Sequence, residues 1–219
     1  MNKFRITMVW ILLLCIGVMG GLMTTDSKPQ EDTQMPVKVI TENNKTTLKI
    51  DSYSKKLKSI DTLKELEKTT PIIVEGLKTT EVVRRFHEMK NSSEFRDCYT
   101  ESNFKIEKVY KNQRNLSQIK KNRLIQIREA EFQLDGQTYT VNGYKKMEKG
   151  KRYLLYLDEQ HGRFIPKEMV YGKIPLYSDE IGLYDEDQLN IKNIGQAKSI
   201  NELTNELTPL FKEARRKYK

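Results

Sequence analysis

An uncharged run of eighteen residues, Ile6 to Met23 (ITMVWILLLCIGVMGGLM), constrains this chain more than any other stretch of it. A backbone in lipid must satisfy its own hydrogen bonds, so such a run folds as a helix. At about 1.5 Å per residue it just crosses a bilayer core roughly 30 Å thick. Lys3 and Arg5 precede it and the polar run Thr24–Pro29 follows it. Basic residues at the start hold that end in the cytoplasm, so everything from Thr24 onward is expected outside. Val18-Met19-Gly20 is a passable signal-peptidase site, but it falls inside the apolar run. The expectation is therefore an uncleaved signal-anchor, with secretion as the outcome if the segment is cut. Cys15 follows Leu14 instead of the small residue a lipoprotein site needs, and reads as a small apolar residue in the span.

The remainder suits one domain on a tether. Of the 219 residues about 196 follow the apolar run, enough for a single core. The formal net charge is +9, of which Lys3 and Arg5 supply two. One cysteine, Cys98, lies beyond the apolar run, so no intramolecular disulfide can staple the exported part. That usage favours a bacterial surface. Four segments follow: a signal-anchor over 1–23, a flexible linker over 24–53, a β-barrel ectodomain over 54–185 and a basic helical segment over 186–219. The linker carries Pro29, Pro36 and many polar residues, too little apolar surface to offset ordering entropy.

Within the domain, Ile60, Leu63 and Leu66 recur at helical spacing, predicting a short helix over 59–68 capped by Ser59 or Asp61. Pro71–Leu77 (PIIVEGL) reads as a buried strand ended by Gly76. Glu81–Met89 fits a helical face or a twisted strand equally well. Strands follow at 104–110 and 124–128. Then comes a hairpin, Ala130–Leu134 and Gln137–Val141, joined by Asp135-Gly136 in a two-residue turn. Its register sets Leu134 against Gln137, Phe132 against Tyr139 and Ala130 against Val141. Tyr153–Leu157 (YLLYL) is apolar on both faces and needs a central place in a sheet or barrel. Phe164–Pro166 and an edge strand over 169–177 complete the set. The chain closes on a second helix over 199–219, with a Ser199…Glu202 capping box and a Leu203, Leu207, Leu210, Phe211 stripe. Pro209 predicts a kink or break near Thr208.

Short strands with turn signals between them indicate a mainly β, α+β fold, a small OB-like barrel or sandwich with one helix before it and one after. The sequence of helix, PIIVEGL, FKIEKVYKN, MEKGKRYLLYLDE and a late GKIPL resembles a group of uncharacterised exported, single-span proteins of Gram-positive bacteria with a small OB-like barrel. The resemblance covers roughly 59–176. It implies fold and location, and it carries no functional residues.

No catalytic or ligand constellation stands out. His87 and His161 have no ligand-type arrangement beside them, and zinc normally needs three or four protein ligands. Cys98 reads as a small buried residue in a strand before it reads as a nucleophile. The acids Asp179-Glu180 and Asp185-Glu186-Asp187 lack the glycine and spacing of a calcium loop. No cofactor or metal is expected. The remaining clue is basic surface: Arg84-Arg85, Lys120-Lys121, and above all Lys145, Lys146, Lys149, Lys151 and Arg152 with the C-terminal Lys212, Arg215, Arg216 and Lys217. Those last nine are the candidate surface for an anionic partner, since wall polymers and lipid headgroups are the polyanions outside a Gram-positive membrane. Lysines that merely keep a domain soluble are the plain alternative. Nucleic acid is not expected outside the cell. Two classes of function follow. One is a non-enzymatic ectodomain that binds an envelope polymer or a membrane-protein partner. The other is an enzyme or inhibitor acting at the cell wall; a netrin-type inhibitor would need a cysteine scaffold that is absent.

Overall fold

Alternating apolar residues build a long, bent antiparallel pair at the centre of the domain. In this computed structural model, which describes residues 50–53, 55–84, 98–134, 136–160, 162–192 and 198–218, β1 (Ile50–Tyr53) is followed by α1 (Leu63–Thr69), β2 (Ile72–Arg84) and β3 (Tyr99–Asn112). Next come β4 (Leu124–Glu129), β5 (Glu131–Leu134), β6 (Gln137–Val141), β7 (Arg152–Gln160), β8 (Arg163–Pro166), β9 (Lys173–Pro175), β10 (Leu189–Lys192) and α2 (Ile200–Lys217). Strands β2, β3, β4, β8 and β7 pair in that order, and β2 pairs with β7 to close a five-stranded barrel. All its contacts are antiparallel except β4–β8, where Ile127 faces Phe164 in parallel. Closure decides for a barrel over a sandwich. Register shifts at Ile73/Val74, Glu75/Gly76 and Lys78/Thr80 bend β2 over β3, as bulges do in small barrels. Gly76 sits where β3 crosses closest: a Cβ there would lie 2.1 Å from the Lys105 carbonyl oxygen and 2.7 Å from the Phe104 ring.

The two-faced strand has the place its pattern demands. Tyr153, Leu155 and Leu157 of β7 point into the barrel with Ile72, Val74, Phe104, Ile106, Ile125, Ile127 and Phe164. Leu154 and Tyr156 point outward against α1 (Leu63, Leu66) and α2 (Leu203, Leu207, Leu210, Phe211). The helix stripe is thus the outer lining of the barrel, not a separate tail. The Ser199–Glu202 capping box is formed in both directions. Helix α2 runs unbroken from Ile200 to Lys217, although Pro209 leaves the Asn205 carbonyl without its helical donor. The packed stripe on both sides of Pro209 holds the helix together, so the expected break does not occur.

Other expectations are revised. The first helix starts later than its apolar spacing suggests, with the Thr62 hydroxyl accepting from the Glu65 N–H, 3.1 Å. The hairpin has the expected register, Phe132 opposite Tyr139 and Leu134 opposite Gln137, with Gly136 at φ +77° in its turn. It does not join the barrel, however. It belongs to a second, four-stranded sheet ordered β10-β1-β6-β5. Strand β1 occupies residues placed in the linker, and β10 residues placed in the C-terminal segment; β1 pairs in parallel with both β10 and β6. Four-residue strands spaced across the chain leave no periodic signal to distinguish them from loop. The stretch expected as an edge strand over 169–177 contributes only β9, because Glu168 and Met169 turn with positive φ. Residues 81–84 of the ambiguous segment continue β2.

Among the described residues no helix is long and apolar enough to cross a membrane. The expected span Ile6–Met23, Cys15, the linker up to residue 49, and both His87 and His161 lie outside the described residues.

Candidate ligand-binding cleft

The chain leaves the barrel for the second sheet at Ala130, between Glu129 at the end of β4 and Glu131 at the start of β5. Both carboxylates are buried, Glu129 with no exposure at all. Every second residue of β4 points inward, so Glu129 continues the series Ile125, Ile127, just as Lys78 continues Ile72, Val74, Gly76. One end of the barrel therefore changes from apolar to charged. Lys78 Nζ donates to Glu129 Oε1 (3.4 Å), to the Met147 carbonyl and to Glu81, while the Ser102 hydroxyl donates to the same Glu129 oxygen. Glu129 Oε2 accepts from the Tyr144 hydroxyl (2.9 Å) and the Met147 N–H (2.6 Å). Burial pushes the Tyr144 hydroxyl well up, and the neighbouring Glu129 adds to it.

Glu131 accepts from the Lys146 N–H (2.8 Å) and the Tyr184 hydroxyl (2.9 Å), and burial raises its carboxyl despite them. Lys173 is 1% exposed, lies 3.7 Å from the Tyr144 ring centroid, and donates to the carbonyls of Gly182 (3.2 Å) and Lys145. Burial lowers its ammonium to about 8, against the pull of Glu129 and Glu131. In a paired, hydrogen-bonded cluster of this kind, removing one member strands the others.

Beside this charged end, between the mouth of the barrel and the second sheet, opens a cleft of about 850 Å³. Its walls come from β1 (Tyr53), the segment 55–57, the start of β3 (Tyr99), the end of β4 (Arg128, Glu129), β5 and β6 (Phe132, Val141), and the β7–β8 region (Asp158, Ile165, Met169). The rings of Tyr53, Tyr139 and Phe132 form a row across β1, β6 and β5, with centroids 6.4 and 5.3 Å apart. The Arg128 guanidinium lies 4.2 Å from the Tyr99 ring centroid. Volume and lining match those of small-ligand sites, which are mostly apolar with a few placed polar groups.

The expected basic surface is dispersed by comparison. Arg215 is not on it: the residue is 8% exposed, and its guanidinium donates to the carbonyls of Pro175 (2.9 Å), Asp179 (3.2 Å) and Glu180. It ties α2 to the loop after β9, a role that a basic-cluster reading of the sequence missed. Arg152 bridges Glu75 and Glu107, Lys146 pairs with Glu81, Lys217 pairs with Glu67 at 2.7 Å, and Lys151 lies 5.1 Å over Tyr177. Lys145 stands 3.7 and 3.8 Å from Glu148 and Glu180. Lys149, Lys212 and Arg216 are exposed, with no ion pair among the described residues. Arg152 and Arg215 do meet at a shallow groove of about 390 Å³, but Glu75 and Asp179 line it too.

Cys98 sits just ahead of β3, half-buried, in the wall of the cleft and not inside a strand. Among the described residues no group of three His, Cys, Asp or Glu could hold a metal ion. Asp179, Glu180, Asp185, Glu186 and Asp187 are exposed, and the Asp185 region caps a single 3-10 turn at Glu186–Gln188. Lys55, Lys56 and Arg128, the cations that do line the cleft, had no sequence signal beyond a lysine doublet at the edge of a polar segment. No protein-family model matches this chain, and no curated protein shows significant sequence similarity to it.

Proposed function

We propose that this chain is a membrane-anchored, extracytoplasmic, non-enzymatic binding module whose barrel is of the OB type. The cleft between barrel and second sheet carries the reading: about 850 Å³ of lined space with aromatic walls is more than packing requires. The strand order supports the OB assignment. A meander of β2, β3 and β4, a parallel contact from the third to the last barrel strand, and closure of the first on the fourth make up a five-stranded Greek-key barrel. OB barrels bind ligands on the face of their second and third strands, here β3 and β4, which contribute Tyr99, Arg128 and Glu129 to the cleft. The apolar run Ile6–Met23 behind Lys3 and Arg5 supports anchoring with the domain outside. The partner is a component of the envelope, a polymer, a lipid or a membrane protein.

A photo-crosslinking side chain placed at Gln160, exposed at the rim of the cleft, tests this in the full-length protein in intact cells. A discrete adduct from Gln160 and none from Lys120, which lies outside the cleft, supports the reading; no adduct from either overturns it. An enzyme acting at the wall is the second reading, favoured by Cys98 in the cleft wall. It requires that a thiol-alkylating reagent abolish turnover of wall material, whereas the binding reading has Cys98→Ala give the same adduct.

A further inference from the structure

Resting on the cleft as the ligand site, we propose that its ligand is an anionic amphiphile: an apolar chain with a single phosphate or carboxylate head. Six apolar residues line the cleft, Leu57, Phe132, Val141, Ile165, Pro166 and Met169. Nothing among them would direct a uniformly polar polymer to lie there. The charges are the second observation. Three cations line the cleft, Lys55, Lys56 and Arg128, and none has an ion pair among the described residues.

Three carboxylates line it as well, but two are already occupied. Glu129 is held by Lys78, Ser102, Tyr144 and the Met147 N–H. Asp158 pairs with Lys167 at 3.0 Å. Among the described residues Glu168 accepts only the Lys58 N–H, at 3.4 Å. Three uncompensated cations thus stand against one carboxylate, and the cleft is positive at its polar positions while apolar elsewhere. The Arg128 guanidinium lies over the Tyr99 ring and has no hydrogen-bond acceptor among the described residues, so its N–H groups can donate to an oxyanion. Chain and head of an amphiphile satisfy both halves of this wall at once. A polyanion such as a wall polymer satisfies one.

The test uses full-length protein in phosphatidylcholine nanodiscs, irradiated with dodecyl phosphate that carries a diazirine near the chain end. Labelled peptides are then mapped by mass spectrometry. Label is expected around Leu57 and Met169, unaffected by excess inorganic phosphate. It falls about tenfold when Lys55→Gln, Lys56→Gln and Arg128→Gln are combined, the loss of roughly one decade of affinity expected from removing three weak charge contacts. Because Arg128→Gln also uncovers Tyr99, the pair Lys55→Gln/Lys56→Gln, on two exposed residues, is the arm that keeps folding intact; about a threefold loss is expected there. Equal labelling by the matching dodecyl glucoside, label spread over the barrel, or displacement by inorganic phosphate alone each overturns the proposal. A Gln160 adduct in cells without dodecyl phosphate labelling leaves the binding module standing and removes only the amphiphile; loss of both removes both.

Discussion

In the lumen of the barrel, Ile72, Phe104, Ile127, Leu155 and Leu157 exclude water from one another. At its charged end, Lys78, Glu129, Ser102 and Tyr144 are buried to the same degree and are held by donors and acceptors aimed at single atoms. The lumen depends on volume and tolerates a change of shape that keeps volume. The end depends on charge and direction, and tolerates neither partner alone. The difference explains where the cleft lies. A strand that must turn a corner at Ala130 needs polar side chains to satisfy the backbone of the 142–148 segment that covers it, and such a corner leaves space beside it.

Substitutions can break this contrast. Glu129→Leu should cost about 3–5 kcal/mol, because Lys78 loses its buried carboxylate and the Ser102, Tyr144 and Met147 donors lose their acceptor, whereas Lys78→Met/Glu129→Leu together should recover only the part of that cost that belongs to the ion pair. Chemical denaturation of the single and double variants decides it; simple additivity would mean that the charged end does not act as a unit. In the lumen, Leu155→Ala should cost about 2–5 kcal/mol and Leu155→Met less than about 1.5. If Glu129→Gln, an equally close match in shape, proves as mild as Leu155→Met, direction and charge do not govern the end.

The third expectation is a pH dependence that originates at the corner. Lys173 is lowered by burial to about 8, below its ordinary 10.5. Between those values the unfolded chain binds more protons than the folded one, so this group makes stability rise with pH, by on the order of 1–2 kcal/mol from pH 8 to 9.5. The buried tyrosines Tyr144 and Tyr153, whose hydroxyls are pushed up, oppose the rise from about pH 10. Thermal unfolding across that range should show the slope in the parent and lose it in Lys173→Met. The smallest effects belong to neither region. Ser199→Ala removes the α2 cap and should cost about 1 kcal/mol. Lys212→Gln, on the exposed face of α2, should change stability by less than about 0.5 kcal/mol.

Much of the fold was legible because its residues obey local periods. The YLLYL strand announced two buried faces, the Asp135-Gly136 hairpin announced its register, and the Leu203–Phe211 stripe announced a packed helix. The assembly of the second sheet around that hairpin was not legible, since β1 and β10 are four residues each and meet across the length of the domain. Nor was the site. Lys55, Lys56 and Arg128 stand apart in the chain, and the counts of lysine and arginine that pointed to 145–152 and 212–217 say nothing about which of them already hold a partner. Arg215 makes the point: charged in composition, it is buried and spent on three backbone carbonyls.

By itself the sequence determined which residues prefer strand or helix and which face of each is apolar, because those preferences are set by neighbours two to four positions away. Closure of the barrel through β2–β7, insertion of β1 between β10 and β6, and the pairing of Lys78 with Glu129 were decided only in three dimensions. Each joins residues whose mutual attraction exists only after water has been expelled from between them, and no local pattern records it.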